Sequence, residues 1–439
     1  MKVHPLYFFM KFTIKTIGCK VNTYESNKIR DSLVDIGFEY VDVRKKEEYV
    51  NLDYYIVNTC SVTKIADKKS RQMLHLAKKY NPNVKVIAIG CMVDSLNKNS
   101  KSDKKEIDVE SSNDESSLKG IDFFFSNKEK MKLAEFLTSK IDKSNLNAVK
   151  KENKLAIRSF IKVQDGCNQY CTYCIIPFLR GNIKSRDDSD IISEVSKKAD
   201  LGVREVVLTG IHLSSFGLDR KGLSYENDGA ISEGRNALLS LIKKIALIGG
   251  ISRIRLGSLE PRIISDEFLQ TLINEVGEKF CGNFCLSLQS GCDKTLKRMN
   301  RHYSTPDFET ACNLIRKHMP YATITTDVIV GFPGETEDDF NESLEFVKRM
   351  RFYNPNIFPY SRRPGTKADQ MDNQISNTEK HKRVAKMIDE CEKISRDIEK
   401  EYFENYSDRA SDVLIEEYEI RDGKSYGVGY TKEYFRVFV

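Results

Sequence analysis

The chain has 439 residues, 40% hydrophobic and 31% charged, with no tryptophan and a formal net charge of +6. That balance excludes a disordered or fibrous chain, and no apolar run approaches the ~20 residues a membrane-spanning helix needs. The modest positive charge permits contact with nucleic acid without demanding it.

The apolar patch Leu6–Met10 is too short for a signal-peptide core and has no small-residue cleavage site. Met10 is an alternative start to Met1. A cytoplasmic protein is expected, with its eleven cysteines as reduced thiols that are either buried or metal ligands.

In chain order, strands are predicted at Phe12–Ile17, Asp53–Val57, Val84–Ile89 and Ile121–Phe125, and helices at Asn22–Ile36, Lys64–Tyr80 and Met131–Ile141. Such alternation implies a parallel sheet, so residues 11–141 read as an α/β domain. Asp94–Gly120, nearly free of apolar residues, reads as a solvated insertion. Asp142–Lys154 reads as a linker.

From Leu155 the alternation resumes, with strands at Ser159–Val163, Glu205–Leu208, Ile251–Leu256, Asn283–Leu288, Thr323–Val330 and Asn356–Pro359. Asp187–Asp200 and Thr336–Met350 are two of the helices between them. Leu218–Asn236 reads as a second polar insertion. Six strands with crossovers suggest an open, partial (β/α)6-type barrel over residues 155–377. Thr378–Tyr406 is one long charge-laced helix, with residues 378–410 as connector, and 411–439 is a short β module.

The run GCNQYCTYCIIPFLRG follows the first strand of the second α/β unit. The thiols of Cys167, Cys171 and Cys174 are close enough in sequence to hold three corners of a four-iron cluster, leaving the fourth iron open. Structural zinc usually takes four ligands in two pairs, and no fourth Cys or His stands nearby. Buried free thiols are the plainest alternative.

Cys19, Cys60 and Cys91 are scattered, but each closely follows a predicted strand, in TIKTIGC, YYIVNTC and KVIAIGC. In a parallel sheet the carboxyl ends of the strands share one edge, where ligands bind, so these thiols can converge. Three unrelated core cysteines are the alternative. Cys281, Cys285, Cys292, Cys312 and Cys391 read as structural; Cys281 and Cys285 mimic part of the cluster spacing, but no third thiol follows.

The Cys167–Cys174 spacing resembles that of the radical SAM superfamily. The resemblance implies a 4Fe–4S cluster whose open iron chelates S-adenosylmethionine (SAM), and a 5′-deoxyadenosyl radical made by one-electron cleavage. It implies SAM contacts at Tyr173, at Thr209–Gly210 and at Val330–Gly331. The phrases GCKVNTYES, NTCSVTKIADKKSR and AIGCM resemble, in order, the amino-terminal domain of the methylthiotransferases, where the three cysteines hold a second 4Fe–4S cluster. LTGIHLSSFG, RLGSLEP, LSLQSGCDKTLKRMNR, TDVIVGFPGETEDDF and FPYSRRPGTKA extend the likeness over nearly the whole chain outside the two polar insertions.

GCKVN, LTGIHL and RLGSLEP resemble the branch that methylthiolates C2 of N6-threonylcarbamoyladenosine at position 37 of tRNA. That branch implies two SAM molecules, one donating a methyl group to sulfur and one making the radical. No general base is expected, because an aromatic C–H offers no useful acid–base route. The implied partners are tRNA and an electron donor such as flavodoxin or ferredoxin, with no membrane and a monomeric chain. Sister branches act on N6-isopentenyladenosine in tRNA or on a ribosomal-protein aspartate. A non-catalytic iron–sulfur electron carrier or RNA-binding protein is the reading from another class.

Ser411–Val439 resembles the front of a TRAM domain, an RNA-binding β module. Acidic residues outnumber basic ones there, so bulk phosphate attraction is not expected. Tyr426, Tyr430, Tyr434 and Phe435 are candidates to stack on bases, or else to fill a half-buried sheet.

Overall fold

The computed structural model describes residues 10–99, 119–140 and 156–439. These form two compact units, one of residues before 141 joined by Phe178–Arg180, the other of the remaining residues from 156 onward.

The first unit is a five-stranded parallel sheet. It is built from β1 (Lys11–Thr16), α1 (Lys20–Asp35), β2 (Glu39–Tyr40), β3 (Tyr54–Thr59), α2 (Lys64–Leu74), β4 (Lys85–Gly90), α3 (Cys91–Asn99), β5 (Phe123–Phe125) and α4 (Leu133–Ser139). The strand order is β2-β1-β3-β4-β5. Side chains alternate between two cores: Tyr55, Val57, Val86 and Ala88 face one, while Ile56, Ile87, Ile89 and Phe12 face the other. A strand apolar on both faces is what a helix-covered parallel sheet requires. Thr63 caps α2 by accepting from the Ala66 N–H at 3.1 Å. That helix is shorter than expected; it stops at Leu74, and Ala77–Lys79 is a separate 3-10 turn.

The second unit holds β6 (Arg158–Lys162), α5 (Asp188–Asp200), β7 (Glu205–Thr209), α6 (Asp228–Ala246), β8 (Arg253–Leu256), β9 (Ser258–Leu259), β10 (Asn283–Gln289), α7 (Thr305–His318), β11 (Thr323–Val330), α8 (Glu337–Met350), β12 (Asn356–Pro359) and α9 (Asn377–Asn405). Its strands pair in parallel as β6–β7–β8 and β9–β10–β11–β12. Only Gly257 separates β8 from β9, and Ile254 bridges to Phe280, so the two sheets follow one another as a six-position partial barrel. One continuous core, from Ile161 through Leu208, Leu256, Leu286 and Val328 to Met387, fills it.

Two expectations need correction. Leu218–Asn236, expected as a polar insertion, is anchored in the core, although most of Arg220–Gly229 is exposed. Leu218, Tyr225 and Ile231 are almost fully buried as one cluster, and Asn227 caps α6 through the Ala230 N–H. Three large apolar residues spaced among polar ones escape a composition window. Asp94, expected to open a polar insertion, instead lies on α3, and its carboxylate accepts from the Asn127 N–H at 2.9 Å and side-chain amide at 2.7 Å. Most of that segment, like the 142–154 linker and the choice between Met1 and Met10, lies outside the described residues.

The carboxyl end is an antiparallel sheet of β13 (Leu414–Arg421), β14 (Lys424–Tyr430) and β15 (Arg436–Phe438). It docks at the amino-terminal end of the barrel strands. Arg253 donates to the Tyr430 and Asp412 carbonyls at 2.8 and 2.7 Å, Arg255 to the Lys432 carbonyl at 2.9 Å, and Thr323 to the Glu433 carbonyl at 2.6 Å. Tyr430 and Tyr434 are already engaged within the protein. They stack on each other at 4.6 Å and 15°, and the Arg158 and Arg255 guanidiniums cover the Tyr434 ring. Phe435 is wholly buried against Tyr402 and Tyr353.

Candidate functional site

In the first unit, Cys19, Cys60 and Cys91 follow the carboxyl ends of β1, β3 and β4, three adjacent strands. Gly90 turns the chain out of β4 with φ +94, and a Cβ there would lie 2.7 Å from the Asn58 side-chain oxygen. Only glycine therefore fits immediately before Cys91.

Asparagines tie this edge together. Asn22 donates to the carbonyls of Ile17 and Thr59, both at 3.1 Å, and accepts from the Cys19 thiol at 3.4 Å. Asn127 donates to Cys91 Sγ at 3.4 Å. Cys60 and Cys91 are buried and Cys19 is exposed. Burial, followed by the neighbouring thiols of Cys91 and Cys19, pushes the Cys60 thiol up to about 11, although a Val62 backbone hydrogen bond opposes this. Nearby, the fully buried Glu25 carboxylate pairs with Lys130 and, at 3.1 Å, with Arg180, whose other terminal nitrogen donates to Asn22 at 3.1 Å.

In the second unit, Cys167, Cys171 and Cys174 lie in the loop beyond β6. Gly166, at φ +68, passes so close to the chain that a Cβ would sit 1.9 Å from the Asn182 carbonyl oxygen. The loop is pinned on both sides. Thr172 donates through its N–H to the Met299 carbonyl (3.0 Å) and through its hydroxyl to that of Arg298 (2.9 Å), and its own carbonyl accepts from the Ala368 N–H (2.8 Å). Arg301 donates to Cys171 Sγ at 3.2 Å, and the Gln169 N–H to Cys167 Sγ at 3.5 Å. Burial, together with the Cys171 thiol, pushes Cys167 up to about 11 against a Gln169 backbone hydrogen bond, and burial raises Cys174 further.

Both sets suit a polynuclear cluster. Cys60, Cys167 and Cys174, raised by burial, ionise readily only when a cation sits beside them, and a metal deprotonates such ligands. Among the described residues, no three His, Cys, Asp or Glu side chains are gathered as one metal ion would need. Zinc draws its sulfurs to about 2.3 Å of one point, whereas a 4Fe–4S cube holds each thiolate at a separate corner.

The residues expected to contact SAM gather at the carboxyl ends of the barrel strands. Thr209 ends β7 and is buried; a Cβ on Gly210 would lie 2.7 Å from the Gln164 side-chain oxygen. Val330 ends β11, and the Gly331 N–H donates to the Glu335 carboxylate at 2.8 Å. Tyr173 packs near Phe332, which follows that turn. The remaining five cysteines are dispersed: Cys281, Cys292, Cys312 and Cys391 are buried, and Cys285 is half-buried on β10.

Sequence reasoning singled out no role for Arg301, Asn22, Asn127 or the Glu25–Lys130–Arg180 cluster. Arg301 and Asn22 lie within quoted motifs, but their contacts with sulfur depend on the fold.

A partial barrel with a three-thiol loop after its first strand defines a radical SAM enzyme. In agreement, residues 161–347 match the model of the radical SAM superfamily, and residues 11–110 match that of the uncharacterized protein family UPF0004. A threonylcarbamoyladenosine tRNA methylthiotransferase MtaB of Bacillus subtilis is 32% identical, the match covering 96% of this chain and 88% of that protein. Its namesake in Aquifex aeolicus is 35% identical, over 85% and 86%. A tRNA-2-methylthio-N(6)-dimethylallyladenosine synthase of Clostridium tetani is 31% identical, over 92% and 85%. The radical SAM methyltransferase TsrM of Kitasatospora setae, whose structure contains cobalamin and a 4Fe–4S cluster, shares the fold with a TM-score of 0.54 at 14% identity, over 82% of this chain and 77% of that one.

The chain belongs to the radical SAM methylthiotransferase family, and is thus an enzyme that transfers a methylthio group. The cofactors of that family are 4Fe–4S clusters and SAM. No described helix is long and apolar enough to cross a membrane.

Proposed function

We propose that this enzyme methylthiolates C2 of N6-threonylcarbamoyladenosine at position 37 of tRNA, using two 4Fe–4S clusters and two molecules of SAM. What supports the reading is the position of the cysteines: Cys19, Cys60 and Cys91 follow the carboxyl ends of β1, β3 and β4, and Cys167, Cys171 and Cys174 lie in the loop beyond β6. Cys167, Cys171 and Cys174 hold one cluster, and Cys19, Cys60 and Cys91 hold the other.

When bound, these groups supply a low-potential electron and open irons for SAM and for sulfur. The protein's part is positioning. Arg301 steadies the Cys171 thiolate with a charge-assisted hydrogen bond, and Asn22 and Asn127 fix Cys19 and Cys91. Tyr173, Thr209, Gly210, Val330 and Gly331 line the SAM site. No side chain is assigned as a general base, since an aromatic C–H is not removed by acid–base chemistry. The enzyme works as a cytoplasmic monomer and takes its electrons from a flavodoxin- or ferredoxin-type donor.

Overall identity alone does not separate the two tRNA branches, because relatives named for each lie at similar distance. GCKVN, LTGIHL and RLGSLEP favour the threonylcarbamoyl branch. Nucleoside mass spectrometry of tRNA from a strain lacking the protein tests this. Loss of 2-methylthio-N6-threonylcarbamoyladenosine is expected; loss of the methylthio-isopentenyl nucleoside instead would reassign the substrate.

A further inference from the structure

Of the side-chain nitrogens buried without a hydrogen-bond partner among the described residues, two belong to side chains that pack on the same tyrosine. They are His212 Nε2 and one terminal nitrogen of Arg262. The His212 ring meets the Tyr225 ring edge-on at 5.1 Å, and the Arg262 guanidinium lies 5.3 Å from the centre of that ring. Tyr225 is wholly buried, and its carbonyl accepts from the Gln169 side chain at 3.1 Å, which ties it to the cysteine loop. His212 itself follows the Thr209–Gly210 turn by two residues and is only partly buried.

One other nitrogen of each side chain is engaged. Arg262 Nε donates to Glu260 at 2.7 Å, which orients the guanidinium and neutralises that carboxylate. His212 Nδ1 lies 2.6 Å from the Ser215 hydroxyl. Burial, then the charges of Arg301 and Arg262, push the imidazole down to about 3, so the ring is neutral. In the tautomer in which the Ser215 hydroxyl donates to Nδ1, the proton of the neutral ring is on Nε2. Arginine has donors and no acceptors. The ligand that satisfies this pair is therefore an acceptor, and beside a guanidinium an anionic one.

We propose that His212 and Arg262 bind the carboxylate of the threonylcarbamoyl group of the substrate nucleoside, and so set the enzyme's choice between modified adenosines. This rests on the substrate reading above. The threonyl group carries a carboxylate that matches a guanidinium and a ring N–H, whereas an isopentenyl group offers these donors nothing and would leave them buried and unpaired. The other carboxylate brought to this site is that of SAM, which chelation to the open iron already satisfies.

The test is binding by the full-length, anaerobically reconstituted enzyme to three anticodon stem-loop RNAs. They differ only at position 37, which carries N6-threonylcarbamoyladenosine, N6-isopentenyladenosine or unmodified adenosine. The wild type is expected to prefer the threonylcarbamoyl RNA. Arg262→Gln and His212→Phe should each cut that preference by about tenfold or more, leaving affinity for the unmodified RNA and for SAM in place, and Arg262→Lys should restore part of it. His212→Phe keeps a ring against Tyr225, and iron content confirms that each variant is folded. If the wild type prefers the threonylcarbamoyl RNA and both variants retain that preference, the pocket assignment falls while the substrate reading stands. Weakened SAM binding with the preference intact would give the site to SAM's own carboxylate and overturn the proposal. A wild type that prefers isopentenyl RNA, or shows no preference, would sink the substrate reading and the pocket with it.

Discussion

Phe435→Ala is the sharpest probe of what the carboxyl-terminal sheet does. The ring has no exposed surface, stacks on Tyr402 at 4.1 Å and 26°, and meets Tyr353 at 4.6 Å and Phe403 at 5.7 Å. Truncating a buried phenylalanine typically costs about 3–5 kcal/mol, because the transfer energy is lost and the cavity relaxes only in part. The loop is otherwise held by Tyr402 and Arg409 on the Glu433 carboxylate, at 2.5 and 2.9 Å, and by the arginine contacts with its carbonyls. The sheet should therefore stay docked but open more often. If it opens as a unit, about 3 kcal/mol corresponds to roughly a hundredfold more exchange from the amides that pair β14 with β15. Hydrogen exchange read by mass spectrometry measures this directly. Tyr434→Ala, at a ring 39% exposed, should change protection far less, and iron content should be unchanged in both. Equal protection in Phe435→Ala and wild type would refute the reasoning. So would a Tyr434→Ala variant that loses RNA affinity with the sheet still protected, which would return that ring to RNA stacking.

Two further outcomes follow from buried groups. Burial raises the Glu205 carboxyl, but Arg255, Arg158 and Arg253 together hold it below its ordinary value, so its contribution is present above the unfolded pKa and fades as pH falls through the lower folded one. Thermal scans should show the wild type losing stability below about pH 4, whereas Glu205→Gln should melt lower at neutral pH, by about 3–5 kcal/mol in stability, and depend less on acid; equal melting at pH 7 would count against the ion cluster. Gly90→Ala should lower iron at the Cys19–Cys60–Cys91 site while sparing the other set, because the new methyl meets Asn58 and the φ is strained; full iron loading would show that the turn tolerates a side chain.

The strands and their junctions with the cysteines were legible because short apolar runs end there in glycine, threonine or cysteine. Thr323–Val330 and Asn356–Pro359 occur at the residues expected, and the long helix differs by one residue at each end. What local pattern could not supply is side-chain contact over long separations. Arg301 reaches Cys171 across 130 residues, and Thr323 meets Glu433 across 110. For the same reason the sequence left open whether Tyr430 and Tyr434 stack on bases or pack in the sheet, whereas arginines far upstream lie over their rings. Buried Tyr225 lay hidden in a polar stretch because one aromatic residue hardly moves a window average.

The most direct test of the central claim is iron and 5′-deoxyadenosine measured together after anaerobic reconstitution. The intact chain should hold about eight irons. Changing Cys167, Cys171 and Cys174 together to alanine should remove about half of them and abolish 5′-deoxyadenosine formation. Changing Cys19, Cys60 and Cys91 should remove a similar share and leave SAM cleavage in place. Zinc in place of iron, about four irons in the intact chain, or SAM cleavage surviving the first triple change would contradict the account.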